Sequence, residues 1–307
     1  MGIGHSHDHA DHVDDVLADS AAGIRAVKIS LIALGATAIA QFVIVAFSGS
    51  VALLADTVHN LSDALTAVPL WIAFGLSRRP ASRRYTYGLG RAEDLAGLFV
   101  VAVIAESAAV AAGEAVRRLI HPAPLSHLAW VAAAGVVGFV GNELVALYRI
   151  GVGTKIGSAA LKADGVHARV DGLTSLAVVA GAAGVAAGFP AADPIVGLVI
   201  AVVIVAVLAV AVRDVFGRLL DGVDPTLVTA AQEALARQPG VQSVHRLRMR
   251  WLGHRLLADV ELDIDPDRSL SEAHRIVHDA EHALTHAVPK LTEATVHAYP
   301  AHPVKSG

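Results

Sequence analysis

The chain has 307 residues, 54% of them hydrophobic and 17% charged, with a net charge of −4 and a mean hydropathy of +0.57. That charge is too small to argue for a nucleic-acid partner, and the apolar residues gather in long runs, as in a membrane protein. Cysteine is absent and the only methionines are Met1 and Met249, so the soft ligands that select Cu(I) are missing; missing cysteines say nothing about redox compartment.

Residues 1–22 form a polar tail in which His5, His7, His9 and His12 lie among Asp8 and Asp11. Such a tract captures divalent metal without a fold, or is a disordered solvated leader with incidental affinity. It carries no apolar run and small-residue cleavage site of its own, so no signal peptide is expected. Residues 23–220 contain six apolar runs suited to a bilayer core, at 24–47, 51–76, 92–116, 125–148, 157–188 and 194–212. Arg78, Arg79, Arg83, Arg84 and Arg91 follow the second run, and Arg149, Lys155 and Lys162 are assigned to the loop after the fourth. Both loops, and with six spans both termini, are therefore expected on the cytoplasmic side of the cell membrane, with Arg117 and Arg118 as exceptions.

One pattern occurs twice inside these runs: Asp56-x-x-His59-x-x-x-Asp63 in the second and Asp164-x-x-His167-x-x-x-Asp171 in the fifth, each followed by Leu-Thr. Spacings of three and four put each triplet on one helical face. A carboxylate at the centre of a membrane helix costs about 2.5–3.5 kcal/mol, so four represent a penalty on the order of 10 kcal/mol that a bound cation would offset. If the two helices run antiparallel, His59, Asp63, His167 and Asp171 meet near mid-bilayer, and two imidazoles with two carboxylates suit tetrahedral Zn²⁺. The competing interpretation is hydrogen bonding between helices. Asp56 and Asp164, one turn earlier, orient the histidines or pair with basic residues at the cytoplasmic end, Asp164 lying close to Lys162 in sequence.

Residues 221–307 are charged. The pattern predicts a helix at 226–237, a strand at 243–251, a turn at Gly253, a strand at 255–264, a helix at 270–287 and a strand at 294–299. That order suggests a ferredoxin-like α+β domain. His274, His278, His282 and His286 recur every fourth residue on the second helix, where neighbouring pairs could chelate or the stripe could be an exposed polar face. His121, His127, His254 and His302 have no partner spacing that sets them apart.

On the paired His-x-x-x-Asp motifs, the six spans and the soluble tail, the chain resembles the cation diffusion facilitator family of divalent-metal transporters over nearly its whole length. The resemblance implies a homodimer that exports Zn²⁺ or a similar cation from the cytoplasm in exchange for protons, the histidines marking the zinc-selective branch. It also implies a metallochaperone-like tail binding regulatory metal between protomers, with His245, Glu261, His274 and His297 at the matching positions and Tyr299 where some members carry an acid. In the segment Tyr85-Thr86-Tyr87-Gly88-Leu89-Gly90-Arg91, Tyr85 and Leu89 replace the histidines that some members use for another metal, so no site is expected there. Arg91 and Asp221 match a pair that ties related dimers together; two solvated charges is the bland alternative. An intramembrane metalloprotease would need an open metal position and a base, usually as His-Glu-x-x-His, which is absent. A sensor that binds metal without flux is the other rival.

Overall fold

The computed structural model describes residues 7–48, 67–120, 128–189 and 191–301. The chain divides into two compact units, Asp19–Phe216 and Gly217–Gly307 with Met1–Ala18. Six described helices precede the C-terminal domain: α1 (His7–Ser48), α2 (Ala67–Ser77), α3 (Arg91–Ile120), α4 (Leu128–Ile156), α5 (Ala159–Ala186) and α6 (Ala192–Leu219). Five of them, all but the 11-residue α2, are long and apolar enough to cross a membrane. Helix α2 is the end of the expected second run, and the rest of that run lies outside the described residues. In hydrocarbon a helix satisfies its own backbone polar groups, so these Ala-, Val- and Gly-rich segments have few alternatives.

Small side chains let the helices approach closely. The core formed by α1, α2, α3 and α5 is built from Ala26, Ala67, Ala73, Ala96 and Ala160 around Leu70, Phe74 and Leu161. A Cβ on Gly165 of α5 would lie 2.9 Å from the Ile150 backbone nitrogen on α4, so only glycine fits at that crossing. The outer faces expose Ile32, Ile39, Phe42, Leu144, Val202 and Val210, as a surface wetted by lipid requires.

The connection between α4 and α5 departs from expectation. The hydropathy pattern ends the fourth run at residue 148 and assigns Arg149, Lys155 and Lys162 to a basic loop. In the structure α4 continues to Ile156 and α5 begins at Ala159, so all three are helical. Gly157, at φ +78°, closes α4: its N–H donates to the Thr154 carbonyl at 3.3 Å and that of Ser158 to Gly153 at 2.8 Å. Ser158 then caps α5, its hydroxyl accepting from the Leu161 N–H at 3.0 Å. Two residues therefore do the work of a loop. Arg117, one of the two exceptions to the topology rule, is held bidentately by Glu114 of its own helix at 2.8 and 2.9 Å, which offsets its charge.

The C-terminal domain runs α7 (Pro225–Ala236), β1 (Val241–Leu252), β2 (Arg255–Ile264), α8 (Leu270–Ala287) and β3 (Leu291–Pro300). The sheet order is β1-β2-β3, with β1 antiparallel and β3 parallel to β2. Alternation along β2 sends Leu256, Ala258, Val260, Leu262 and Ile264 into one core with Ala231 and Leu235 of α7 and Ile276, Ala280 and Leu284 of α8. Observed elements match the expected ones within three residues at each end; β3 starts earlier, at Leu291.

Helix α8 opens with a capping box, Ser269 and Glu272 each bonding the other's backbone N–H. The bond from the Ser269 N–H, then that from its hydroxyl, holds the Glu272 carboxyl below its ordinary value of 4.5. A depressed folded value means that this contribution is present above the unfolded value and lost as pH falls through the folded one. Ser269→Ala should cost about 1 kcal/mol, roughly a fivefold loss of amide-exchange protection in the first turn of α8 at neutral pH. In unmodified protein the share contributed by Glu272 should be lost only as pH falls below the ordinary carboxylate range; unchanged protection in the variant would mean the cap contributes nothing.

Candidate metal centre

Helix α5 presents the second copy of the repeated motif on one face. Asp164, His167, Asp171 and Ser175 are all buried, the first at 0% and His167 at 2% exposure. At ~1.5 Å rise per residue the helix is ~42 Å long, which sets Asp171 near its midpoint and His167 ~6 Å toward its start. The His167 Nδ1 stands 3.8 Å from Asp171 Oδ1, so imidazole and carboxylate converge. His59, Asp63 and Asp56 lie outside the described residues. Among the described residues no three His, Asp or Glu side chains are grouped to hold a metal ion. The described part of the expected four-ligand cage is thus its α5 half.

The remaining charges of α5 are matched across helices. Arg149 of α4 forms an ion pair with Asp164 at 2.9 Å, with 2% and 0% of the two side chains exposed. Arg169 makes a bidentate pair with Glu143 of α4 at 3.1 and 2.8 Å. Lys162 reaches Asp214 of α6 at 3.4 Å rather than Asp164. This corrects the basic-loop assignment of Arg149: it is buried at the α4–α5 interface, and its partner is the carboxylate one turn before His167. The guanidinium fits there because it keeps its charge when desolvated and meets a carboxylate fully withdrawn from water.

Antiparallel register brings a residue that sequence reasoning missed to the level of the motif. Arg149 and Asp164 pair across the hairpin, and one heptad farther from the turn on each helix stand Asn142 and Asp171. Asn142 is 5% exposed, and a Cβ built on Gly172 would lie 3.4 Å from its Cβ. The recoverable signal was the seven-residue spacing from Asn142 to Arg149, which repeats that from Asp164 to Asp171. Farther toward the start of α4, Gln41 of α1 donates to the Ala134 carbonyl at 3.3 Å, and Gln41 and Ser175 of α5 both crowd Gly138.

In the C-terminal domain, the β2 face opposite the core carries Asp259, Glu261 and Asp263. His297 of β3 registers with Glu261, and Tyr299 with Asp263. Glu261 is engaged by Arg246, whereas the carboxylate near His245 is Asp263, at 3.5 Å from Nδ1. Tyr299 stacks on His245 at 5.5 Å and meets His297 edge-on at 5.0 Å. His245, Glu261 and His297 therefore share the open sheet face. His274 is exposed on α8, two residues before the core residue Ile276, so one protomer does not gather all four. The loop from Tyr85 to Gly88 is a turn, Gly88 donating to the Tyr85 carbonyl at 2.9 Å, and Arg91 pairs with Asp94 of its own helix at 3.5 Å.

Removing one member of the buried pair should be worse than removing both. Arg149→Met alone strands the Asp164 carboxylate and should lower stability by about 3–5 kcal/mol, whereas Arg149→Met with Asp164→Leu should recover most of it. Thermal unfolding in detergent checks this; a double variant no more stable than the single would show that the charges do not act as a pair.

Residues 27–220 match the family model described as the cation efflux transmembrane domain, and residues 223–301 match that of the cation efflux protein cytoplasmic domain. A "Probable cation efflux system protein" of Mycobacterium tuberculosis is 68% identical over 297 residues, covering 97% of this chain and 90% of that one. The cation-efflux pump FieF of Serratia proteamaculans is 30% identical over 90% of this chain and 94% of its own. The manganese efflux system protein MneS of Bacillus subtilis is 27% identical, with 76% and 80% covered. Among solved structures, a nickel form of the MamM C-terminal domain aligns with 26% of this chain and 100% of that one, at 25% identity and a TM-score of 0.25.

Proposed function

Because this chain belongs to the cation diffusion facilitator family of cation efflux transporters, we propose that it exports Zn²⁺ from the cytoplasm in exchange for protons. In this reading residues 23–220 form a six-helix transmembrane bundle, 221–307 a cytoplasmic ferredoxin-like domain, and two chains a homodimer in the cell membrane. The observation that supports it most directly is the convergence of His167 and Asp171 on the buried face of α5 near mid-helix. His59 and Asp63 would supply the other two ligands of the transport site. The relatives include a manganese efflux protein, and here the donors set the preference for Zn²⁺. Imidazole nitrogen ranks Zn²⁺ far above Mn²⁺, and the chain has no cysteine to favour softer ions.

Proton exchange follows from charge balance. A divalent cation between two carboxylates and two neutral imidazoles makes a site without net charge, which a low-dielectric interior tolerates. Once the ion leaves, the same carboxylates are expensive unless protons replace it. Metal and proton compete for the same lone pairs, so protons arriving from the far side promote release. Asn142, level with Asp171, would orient that carboxylate through its amide. The bound ion must also leave quickly, so the site is expected to be far weaker than the ~10–16 kcal/mol of a structural zinc site.

Proteoliposomes with an imposed pH gradient test the transport reading. His59→Ala and Asp171→Ala should each abolish Zn²⁺ flux, and Asn142→Leu should slow it at least severalfold; parental flux in either of the first two would place the site elsewhere. Binding without flux in the unmodified protein would favour the sensor. His59→Asp makes the cage richer in oxygen and should raise Mn²⁺ flux relative to Zn²⁺, whereas deletion of His5 to His12 should alter apparent affinity but leave the ranking of metals intact.

The open sheet face of the C-terminal domain supports a regulatory role. Metal at His245, Glu261 and His297, with His274 contributed from an adjoining surface, would draw two domains together, and Asp263 stands ready as a further oxygen ligand. Small-angle scattering of the full-length protein should show contraction on adding Zn²⁺, lost in His297→Ala. An unchanged radius would remove the regulatory reading and leave the transport reading standing.

A further inference from the structure

We propose that His282 and His286 form a separate surface site for a borderline divalent cation, Zn²⁺, Co²⁺ or Ni²⁺, held by two imidazoles and otherwise by water. Both side chains are exposed in the last two turns of α8, away from the core face of Ile276, Ala280 and Leu284. Neither belongs to the sheet face that carries His245, Glu261 and His297.

Three observations carry the assignment. The two Nε2 atoms stand 3.4 Å apart, with ring centroids 4.4 Å apart and planes tilted by 56°. Two nitrogens bound to one Zn²⁺ at about 2.0–2.1 Å with a tetrahedral angle between them are ~3.3–3.4 Å apart, so the rings already stand at chelating separation. At that separation two facing lone pairs repel, and a shared proton or a shared metal ion relieves the repulsion. Second, the spacing of four places both on one strip of the helix, and the backbone holds them there without cost to the sheet or core. Third, His286 lies in the last turn, where the unpaired carbonyls of the helix end carry partial negative charge that favours a bound cation.

The stripe extends upstream to His278 and His274, but one ion cannot gather it all. Residues eight apart on a helix are separated by ~12 Å, several times the reach between ligands of one ion. The site is therefore a two-ligand chelate with open positions taken by water, and its ion exchanges readily. It does not fit Mn²⁺ or Mg²⁺, which prefer oxygen ligands. Such a chelate on the tail of an efflux protein would hold the same class of cation that the transport site is proposed to move, without drawing on those ligands.

Diethylpyrocarbonate labelling of the full-length protein in detergent, read residue by residue by mass spectrometry, tests the assignment. At Zn²⁺ ~10 times the half-protecting concentration, mass action leaves about one site in ten open, so labelling of His282 and His286 should slow together by ~10-fold. His286→Gln should return His282 to its metal-free rate, His282→Gln should do the same to His286, and His278→Gln should leave the pair protected. Mn²⁺ at the same concentration should protect neither. Protection of one histidine without the other, survival of protection after loss of its partner, or equal protection by Mn²⁺ would overturn the assignment. None of these results depends on flux through the membrane unit, so failure here is distinct from failure of the transport reading.

Discussion

Burial of charge between α4 and α5 is the constraint on which the membrane unit turns. The Arg149–Asp164 pair is almost fully withdrawn from solvent, and Glu143–Arg169 lies partly buried beside it. Each would be costly alone in a low-dielectric interior; together they fix the antiparallel register of the hairpin, because slipping one helix by a residue would rotate both pairs apart. That register decides what faces the His-x-x-x-Asp motif. It sets Asn142 level with Asp171 and Arg149 beside Asp164, and it leaves His167 and Asp171 turned toward each other. The ion pairs thus serve position more than stability.

The sequence was informative where a feature is local. The spacing of Asp164, His167 and Asp171 announces a single helical face, and all three are buried on one. In the C-terminal domain, the residue pattern and the Gly253 turn mark element ends, and these ends fall within three residues of expectation. Hydropathy misplaced the end of the fourth run because it scores Arg149 as an exposed charge. Its carboxylate lies fifteen residues away across a turn, a pairing that no local average can see. The Gly157–Ser158 dipeptide, a helix stop followed by a cap, carried the correct boundary.

His245 illustrates a second kind of limit. The β1 register shifts between Val244 and Arg246, so His245 is an extra residue with no partner on β2. Counting by twos along the strand cannot then say which carboxylate it meets, and the bulge delivers it to Asp263 while Arg246 takes Glu261. The four-residue stripe on α8 was visible from spacing alone. What spacing could not give was the mutual direction of two rings, which depends on rotamers.

The two-residue connection between α4 and α5 has a mechanical consequence. A long loop absorbs motion; Gly157 and Ser158, held by two backbone bonds and a cap, have almost no slack. With two interhelical ion pairs farther along, the hairpin would tilt as one lever with its fulcrum at the turn. For a helix of ~42 Å, a tilt of ~10° about that end moves the other end by ~7 Å, while residues near the turn barely shift. His167 and Asp171 sit partway along the arm, so in such a tilt Asn142 would travel with them and a ligand from outside the hairpin would not. A site assembled across that boundary can be opened by tilting two helices, with no bond broken inside either one.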